Sequence, residues 1–354
     1  MISVIIIFFL FILLGVPVAY TIGLTGLIGL FVEGGQSFLS IIPTRILAST
    51  SDFILISIPL FILASEFLNR SGMTDGIIDF ALSLMGRYRG GLSHVNIGAS
   101  ILFSGLTGTA VTDTVAIGNI LIPNMKKKGY GAGYSAAVTG ASSVIGPIIP
   151  PSLIMIVYAS MFEEVSVISM FAAGIIPGIL IGGALLLVSS VVSARRDYPK
   201  EKAYSLKEIL KSAKEAVWAL MTPIIILGAI LTGITTVTEA GALAAFYSLL
   251  VGVFIYKGLD WNDIVDSLKN TVVLSGVVFF LIGTANVLGW LVTYTGFTKM
   301  LGNAMMSITS STILQLLMVN VLFLIVGMFL DIGPAVVILA PIVTPIMLEM
   351  GFDP

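Results

Sequence analysis

The chain has 354 residues, of which 57% are hydrophobic and only 10% charged, with a formal net charge of −2 and no cysteine. A soluble core of that length could neither hide so much apolar surface nor stay dissolved on so few charges, and the mean hydropathy is +1.09. The near-neutral charge argues against a nucleic-acid partner, the missing cysteines exclude disulfides and thiolate metal sites, and the lone His94 argues against a histidine metal centre or a Ser-His-Asp triad.

Residues 1–32 run straight into apolar sequence without a basic n-region or a small-residue cleavage site. They read as a first membrane segment rather than a removable signal, and Gly15-Val16-Pro17 makes it one kinked segment or two short ones. Residues 51–69 form a span punctuated by Pro59. Residues 75–89 are amphipathic and suit the membrane interface. Residues 92–125 form the first of two unusual regions. A crossing over 134–160 is interrupted by Gly146-Pro147-Ile148-Ile149-Pro150-Pro151. Residues 167–194, 216–235, 239–256 and 271–292 are conventional spans. The stretches 167–194 and 216–238 carry no charge and exceed the ~20 residues that cross a bilayer. Residues 297–310 are a second interfacial candidate, and 312–348 a second unusual region. Glycine, serine and threonine inside the apolar runs suit close-packed and broken helices in lipid.

The loop 195–214 holds Arg195, Arg196, Lys200, Lys202, Lys207, Lys211 and Lys214, seven of the 17 basic residues. The positive-inside rule places it in the cytoplasm. Counting crossings backwards puts Glu163-Glu164 outside and Lys126-Lys127-Lys128 inside. Counting forwards puts Lys257 inside and the segment around 293–310 outside.

Arg87 and Arg89 precede the 92–125 region and three lysines follow it, so both its ends belong in the cytoplasm. Its centre, Ser104-Gly105-Leu106-Thr107-Gly108-Thr109-Ala110-Val111-Thr112-Asp113, is polar and glycine-rich and carries a carboxylate. The first limb, read as 92–103, is ~18 Å long, too short to cross. A re-entrant hairpin with its polar tip lining a cavity follows, because irregular backbone at membrane depth needs protein or water around it. The alternative is a pair of full crossings with an external turn. The region 312–348 repeats the pattern at an offset of 222 residues, matching Gly105 to Gly327, Pro123 to Pro345, Met125 to Met347 and Gly129 to Gly351. Its tip carries Gly327, Asp331 and Gly333, and its flank carries Glu349 and Asp353 in place of lysines. Two such hairpins entering from opposite faces are the signature of an inverted repeat.

Tips of this kind present carbonyls, hydroxyls and a carboxylate, which suit a small hard cation, and half-helix N-termini, which suit an anion. Ser104, Thr107, Gly108, Thr109 and Asp113, with Gly327 and Asp331, are therefore the candidate ion-binding residues. Intramembrane acids are functional by default; the competing role for Asp113 and Asp331 is capping the second helix of each hairpin. Three prolines in Gly146-Pro147-Ile148-Ile149-Pro150-Pro151-Ser152 remove amide donors and free carbonyls, making Gly146, Pro150, Pro151 and Ser152 candidate lining residues. Thr284 and Asn286 give a small, polar mid-span patch that contacts substrate or marks a helix crossing. His94 is expected to hydrogen-bond near the cytoplasmic end of the first hairpin, and Glu239 to sit at the outer interface.

Ile58-Pro59-Leu60-Phe61, Gly90-Gly91-Leu92, the 104–113 tip, Ile122-Pro123-Asn124-Met125, residues 146–152 and Gly351-Phe352-Asp353-Pro354 resemble the large membrane subunit of tripartite ATP-independent periplasmic (TRAP) transporters, the DctM-type permease, over essentially the whole chain. The resemblance implies an elevator-type, sodium-driven carrier in the bacterial inner membrane. It would import an organic acid such as a C4-dicarboxylate or sialic acid. It would work with a small four-helix membrane subunit and a soluble periplasmic binding protein, with sodium as coupling ion and no other cofactor. Family sites lie at the tips and adjoining broken helices, which here adds Ser142 and Ser143. The first repeat continues past Gly129-Tyr130 into a broken helix while the second stops at Pro354. The chain therefore reads as truncated at its C-terminus, with half of one ion site expected in the missing part.

The expected architecture is an all-α polytopic membrane protein with inverted repeats. Residues 1–90 are scaffold helices and an interfacial arm, and 91–160 a first transport repeat of re-entrant hairpin and broken helix. Residues 161–310 are scaffold helices with the basic loop and connecting arms, and 311–354 the second hairpin. The rival functions are a binding-protein-independent anion carrier, an intramembrane enzyme and a channel. The first is the nearest rival. The missing His/Cys constellation counts against the second, and closed opposed hairpins against the third.

Overall fold

The computed structural model describes residues 2–162, 164–309 and 311–353, with the side chains of Ile2, Gln36, Leu106 and Thr107 outside the description. Among the described residues helix is the only regular structure. The chain begins with α1 (Ile2–Leu13), α2 (Val18–Gly34) and α3 (Ile41–Thr50). Gly15, at φ +76°, and Pro17, at the N-cap of α2, split the first apolar run into two short helices. There follow α4 (Ser57–Arg70), α5 (Met73–Met85), α6 (Gly91–Thr107), α7 (Ala110–Lys127), α8 (Ala132–Ser143) and α9 (Leu153–Met161). The long helices are α10 (Val167–Arg195), α11 (Leu206–Leu231), α12 (Val237–Leu250) and α13 (Trp261–Tyr294). The chain closes with α14 (Phe297–Ile308), α15 (Thr312–Gly327) and α16 (Ile332–Glu349).

Among the described residues six helical segments are long and apolar enough to cross a membrane: Phe53–Arg70, Val167–Arg195, Leu206–Leu231, Val237–Ile255, Trp261–Tyr294 and Ile332–Glu349. The apolar surface of α10 points outward: Ile176, Leu180 and Leu187 are each about two-thirds or more exposed. A helix of 29 residues that is apolar on its outer face is solvated by lipid, not water. The protein is an all-α polytopic membrane protein.

The chain divides into two compact units. The first comprises Met1–Leu55, Val157–Val165 and Leu274–Pro354; the second comprises Ile56–Ile156 and Ser166–Val273.

In the second unit α5, α6, α7 and α11 share a core in which Met73, Ile77, Val95, Phe103, Ile117 and Ala219 are buried. The amphipathic stretch expected around 75–89 is α5, which buries Ile77 and Ala81 and leaves Asp75 and Asp79 exposed. The basic loop after α10 ties the two ends of the α6–α7 hairpin together. Gly90 N–H donates to Pro199 O (3.0 Å) and Glu201 N–H to Gly86 O (3.0 Å). Tyr198 stacks on Tyr130 at 4.3 Å, and Lys128 pairs with Glu201 at 3.0 Å. His94 plays the hydrogen-bonding role expected of it: Nδ1 donates to Gly90 O (2.9 Å) and Nε2 meets Ser190 Oγ of α10 (2.8 Å).

In the first unit α2 and α13 approach along Gly23, Gly26 and Gly29. A Cβ at Gly23 would lie 2.9 Å from Thr284 Cγ2, one at Gly26 3.3 Å from Val287 Cγ1, and one at Gly29 would overlap Leu291 Cδ2. Glycines at this spacing let two membrane helices touch backbone to side chain. The second hairpin, α15 and α16, packs through Val319, Leu339 and Val343. Tyr158 and Thr344 share a hydrogen bond of 2.9 Å.

Candidate functional site

The first hairpin turns more tightly than its glycine-rich sequence implies. Ser104 to Thr107 remain helical, and only Gly108 and Thr109 separate α6 from α7. The expected ten-residue tip is thus a two-residue turn, and the first limb, with 17 residues, is ~25 Å rather than ~18 Å long. Gly108 adopts φ +61°, ψ 9°, where a side chain is strained, and its N–H returns to Ser104 O (3.3 Å). Thr109 is extended and occupies the N-cap of α7.

The turn is seated against the proline-rich break between α8 and α9. No helix covers residues 144–152, as expected where three prolines withhold amide donors. A Cβ at Gly108 would lie 2.8 Å from Pro151 O, and one at Gly105 3.4 Å from Pro150 O and 2.7 Å from Pro223 Cβ of α11. From the other side, a Cβ at Gly146 would lie 3.3 Å from Thr109 O and 3.1 Å from Ser143 O. Backbone oxygens of the turn and of the break therefore converge where only glycine allows the approach. Behind the break, Gly174, Gly178 and Gly182 of α10 admit Ile148, Ile149 and Ile101.

Asp113 stands one turn into α7, and its side chain is fully buried. Its N–H bonds to Thr109 O (3.3 Å), so Thr109, not Asp113, occupies the cap position. Neither carboxylate oxygen has a hydrogen-bond partner among the described residues. Ser100 and Ser143 face it, but their protons are committed elsewhere. Ser100 Oγ donates to Ser142 Oγ (3.0 Å) and Ser143 Oγ to Thr139 O (2.8 Å). Either hydroxyl reaches the carboxylate with its proton only by giving up that bond. A buried carboxylate without a committed donor is expensive on its own and calls for a proton or a cation.

The surrounding acceptors are held rigidly. Asn96 Nδ2 donates to Thr139 Oγ1 (2.7 Å), while Asn96 Oδ1 accepts from Ser142 Oγ (3.1 Å). Asn96, Ser100 and Thr139 were not among the sequence candidates. Their signal is a polar stripe, Ser93, Asn96, Ser100 and Ser104, at helical spacing on an otherwise apolar α6.

Not every candidate reaches this cluster with a free group. Ser104 Oγ donates to Ile101 O (2.6 Å) and Thr109 Oγ1 to Thr112 Oγ1 (2.8 Å). Ser152 Oγ donates to Pro147 O (2.6 Å) and accepts Met155 N–H (3.3 Å), which pins the start of α9. The side chain of Thr107 lies outside the described residues. Gly327, Asp331, Thr284 and Asn286 belong to the other unit. There Asp331 sits at the N-cap of α16, exposed, without a capping hydrogen bond from its side chain. Thr284 donates to Phe280 O (2.9 Å) and packs on Gly23, so it serves the α2–α13 crossing. Asn286 is half-buried.

A family profile described as "Tripartite ATP-independent periplasmic transporter, DctM component" matches residues 5–354. The chain is 33% identical over 340 residues to the sialic acid TRAP transporter permease protein SiaT of Haemophilus influenzae, covering 96% of this chain and 55% of that one. It is 34% identical over 350 residues to the 2,3-diketo-L-gulonate TRAP transporter large permease protein YiaN of Escherichia coli, covering 96% and 80%. It is 35% identical over 365 residues to the C4-dicarboxylate TRAP transporter large permease protein DctM of Vibrio cholerae, covering 97% and 80%. The chain thus spans about half of the first relative and four-fifths of the other two. With a family match over nearly all its length, this chain belongs to the DctM component family of TRAP transporters, a family of transporter permeases and not of enzymes.

Proposed function

We propose that the protein is the permease subunit of a sodium-coupled importer of an organic acid, working in a bacterial inner membrane by alternating access. The observation that carries the reading is Asp113, a fully buried carboxylate with no hydrogen-bond partner for either oxygen among the described residues, one turn into the helix that leaves the hairpin turn, where backbone oxygens of the turn and the proline break converge. An all-oxygen set of one carboxylate, hydroxyls and carbonyls suits a hard monovalent cation such as sodium. Sodium there neutralises Asp113 and closes the turn onto the break. The N-termini of α7 and α9 flank the same place, and their positive ends favour an anionic cargo next to the ion. Coupling follows because ion and anion each improve the site for the other.

The cargoes named for the relatives, sialic acid, diketo-gulonate, C4-dicarboxylate and isethionate, are all organic anions at neutral pH. A small membrane subunit and a periplasmic binding protein would complete the machine, as the family's tripartite description implies. The test is uptake of labelled C4-dicarboxylate and sialic acid into proteoliposomes that hold the permease with its small subunit, with and without the binding protein. Uptake that needs the binding protein supports the reading. Equal uptake without it overturns it in favour of a self-sufficient anion carrier.

A further inference from the structure

A cleft of about 540 Å³ opens between α5, α6 and α7, away from the hairpin turn and wholly within the second unit. Its walls are apolar, with Leu82, Leu92 and Ile120 among them, and its mouth is charged with both signs. On α5, Asp75 and Asp79 stand four residues apart on one face, a like-charge spacing that destabilises a helix. Among the described residues neither has a cation within 4.0 Å. The repulsion is felt at Asp79, whose carboxyl is pushed above the ordinary range by partial burial and by the charges of Asp75 and Glu215. Across the mouth Lys127, at the end of α7, has no carboxylate within 4.0 Å among the described residues either, whereas its neighbour Lys128 is closed by Glu201 at 3.0 Å. The cleft therefore presents, among the described residues, a pair of carboxylates and an ammonium that have no ion-pair partner and do not reach each other, above an apolar wall.

We propose that this cleft holds one phospholipid with a primary-amine headgroup, of the phosphatidylethanolamine class, its ammonium between Asp75 and Asp79 and its phosphate at Lys127. A zwitterion is what such a mouth lacks. An anionic lipid would satisfy Lys127 but meet the two carboxylates with repulsion. A choline lipid carries the positive charge but no N–H to donate, whereas a primary ammonium offers three donors to two acceptors that take charge-assisted bonds. The apolar wall selects a lipid over a free headgroup, since an acyl chain along it adds ~0.8 kcal/mol per buried methylene. Lys127 belongs to the basic cluster that marks the cytoplasmic headgroup level, which puts the lipid at the base of the hairpin, between it and its supporting helix α5.

The test is native mass spectrometry of the delipidated full chain, titrated with phosphatidylethanolamine, phosphatidylcholine and phosphatidylglycerol of identical acyl chains. One tightly held phosphatidylethanolamine is expected, preferred about tenfold or more over both others, the scale of losing one or two charge-assisted hydrogen bonds. Soluble phosphoethanolamine should not displace it. In Asp75→Asn/Asp79→Asn the preference over phosphatidylglycerol should vanish, and Lys127→Gln should weaken retention. Asp260→Asn, an acid outside this cleft, should change nothing. Equal retention of the three lipids by the wild-type chain overturns the proposal whatever the variants do. Retention unchanged in the folded variants overturns it as well.

Discussion

Replacing Asp113 by asparagine keeps the size of the side chain and removes its charge, and its effect should reverse with the salt. In sodium-free buffer the wild-type protein buries a carboxyl group whose two oxygens meet no hydrogen-bond partner among the described residues, while the neighbouring Ser100 and Ser143 donate to Ser142 and Thr139. The asparagine amide carries no charge and supplies N–H donors to the two hydroxyl oxygens. Relieving an unsatisfied buried group is worth ~1–3 kcal/mol, and more when the group is ionised. Asp113→Asn is therefore expected to be more stable than wild type by at least ~1 kcal/mol in choline chloride. In sodium chloride the order changes. At a sodium concentration 100 times its dissociation constant, a ligand that binds only the folded state adds ~2.7 kcal/mol. The wild type should gain that amount and the variant almost none. The assay is thermal or denaturant unfolding of both proteins in matched choline and sodium buffers. If sodium stabilises the variant as much as the wild type, Asp113 is not an ion ligand. If the variant is the weaker protein in choline, the carboxylate has a partner within the protein and the argument from its isolation fails.

Asn96→Ala removes the donor to Thr139 Oγ1 and the acceptor for Ser142 Oγ. It should destabilise the protein by ~1–3 kcal/mol and weaken sodium stabilisation in the same unfolding assay, since Ser142 and Ser100 lose their orientation. Gly29→Ala drives a methyl group into Leu291 Cδ2 and to within 3.1 Å of Val4 Cγ2. Overpacking of that kind costs ~1–3 kcal/mol; Leu291→Ala in the same chain should recover part of it, measured as a double-mutant cycle. Asp79→Asn tests the acid pair on α5 by its pH dependence. Burial, Asp75 and Glu215 raise the folded-state pKa of Asp79 above 3.8, so its favourable protonated form is fully populated below that value. Stability is lost as pH rises through the folded-state pKa. In detergent without lipid the variant should therefore be more stable than wild type at neutral pH, and the two melting curves should coincide below about pH 3.8. A constant gap at every pH would mean a packing effect instead.

Much of the site can be read in the sequence because backbone chemistry announces it. Pro147, Pro150 and Pro151 forbid a helix through residues 144–152, and Gly15 with Pro17 divides the first apolar run, whatever surrounds them. The turn of the first hairpin was legible in place but not in extent. Ser104 to Thr107 have composition typical of a loop, yet packing keeps them helical and only Gly108 takes the left-handed conformation. Sequence alone left Asp113 poised between capping a helix and facing a cavity. The register of α7 decides between them, since Thr109 takes the N-cap and carries Asp113 one turn inward. Asn96, Ser100 and Thr139 were harder to find because each is a single polar residue in a helix, and their meeting depends on how α6 packs on α8. Thr284 was left open in the sequence between substrate contact and a helix crossing. Its methyl group fills the space left by Gly23 and its hydroxyl returns to its own helix, the arrangement of a helix crossing.

The most direct test of the central claim is the dependence of uptake on sodium. Proteoliposomes carrying the permease and the proposed small subunit, supplied with the proposed binding protein and a labelled organic acid, are given an inward sodium gradient, equal sodium on both sides, or potassium throughout. The coupling assigned to the site around Asp113 requires accumulation above the external concentration only under the inward sodium gradient, and its loss in Asp113→Asn. Accumulation to the same level in potassium would contradict it.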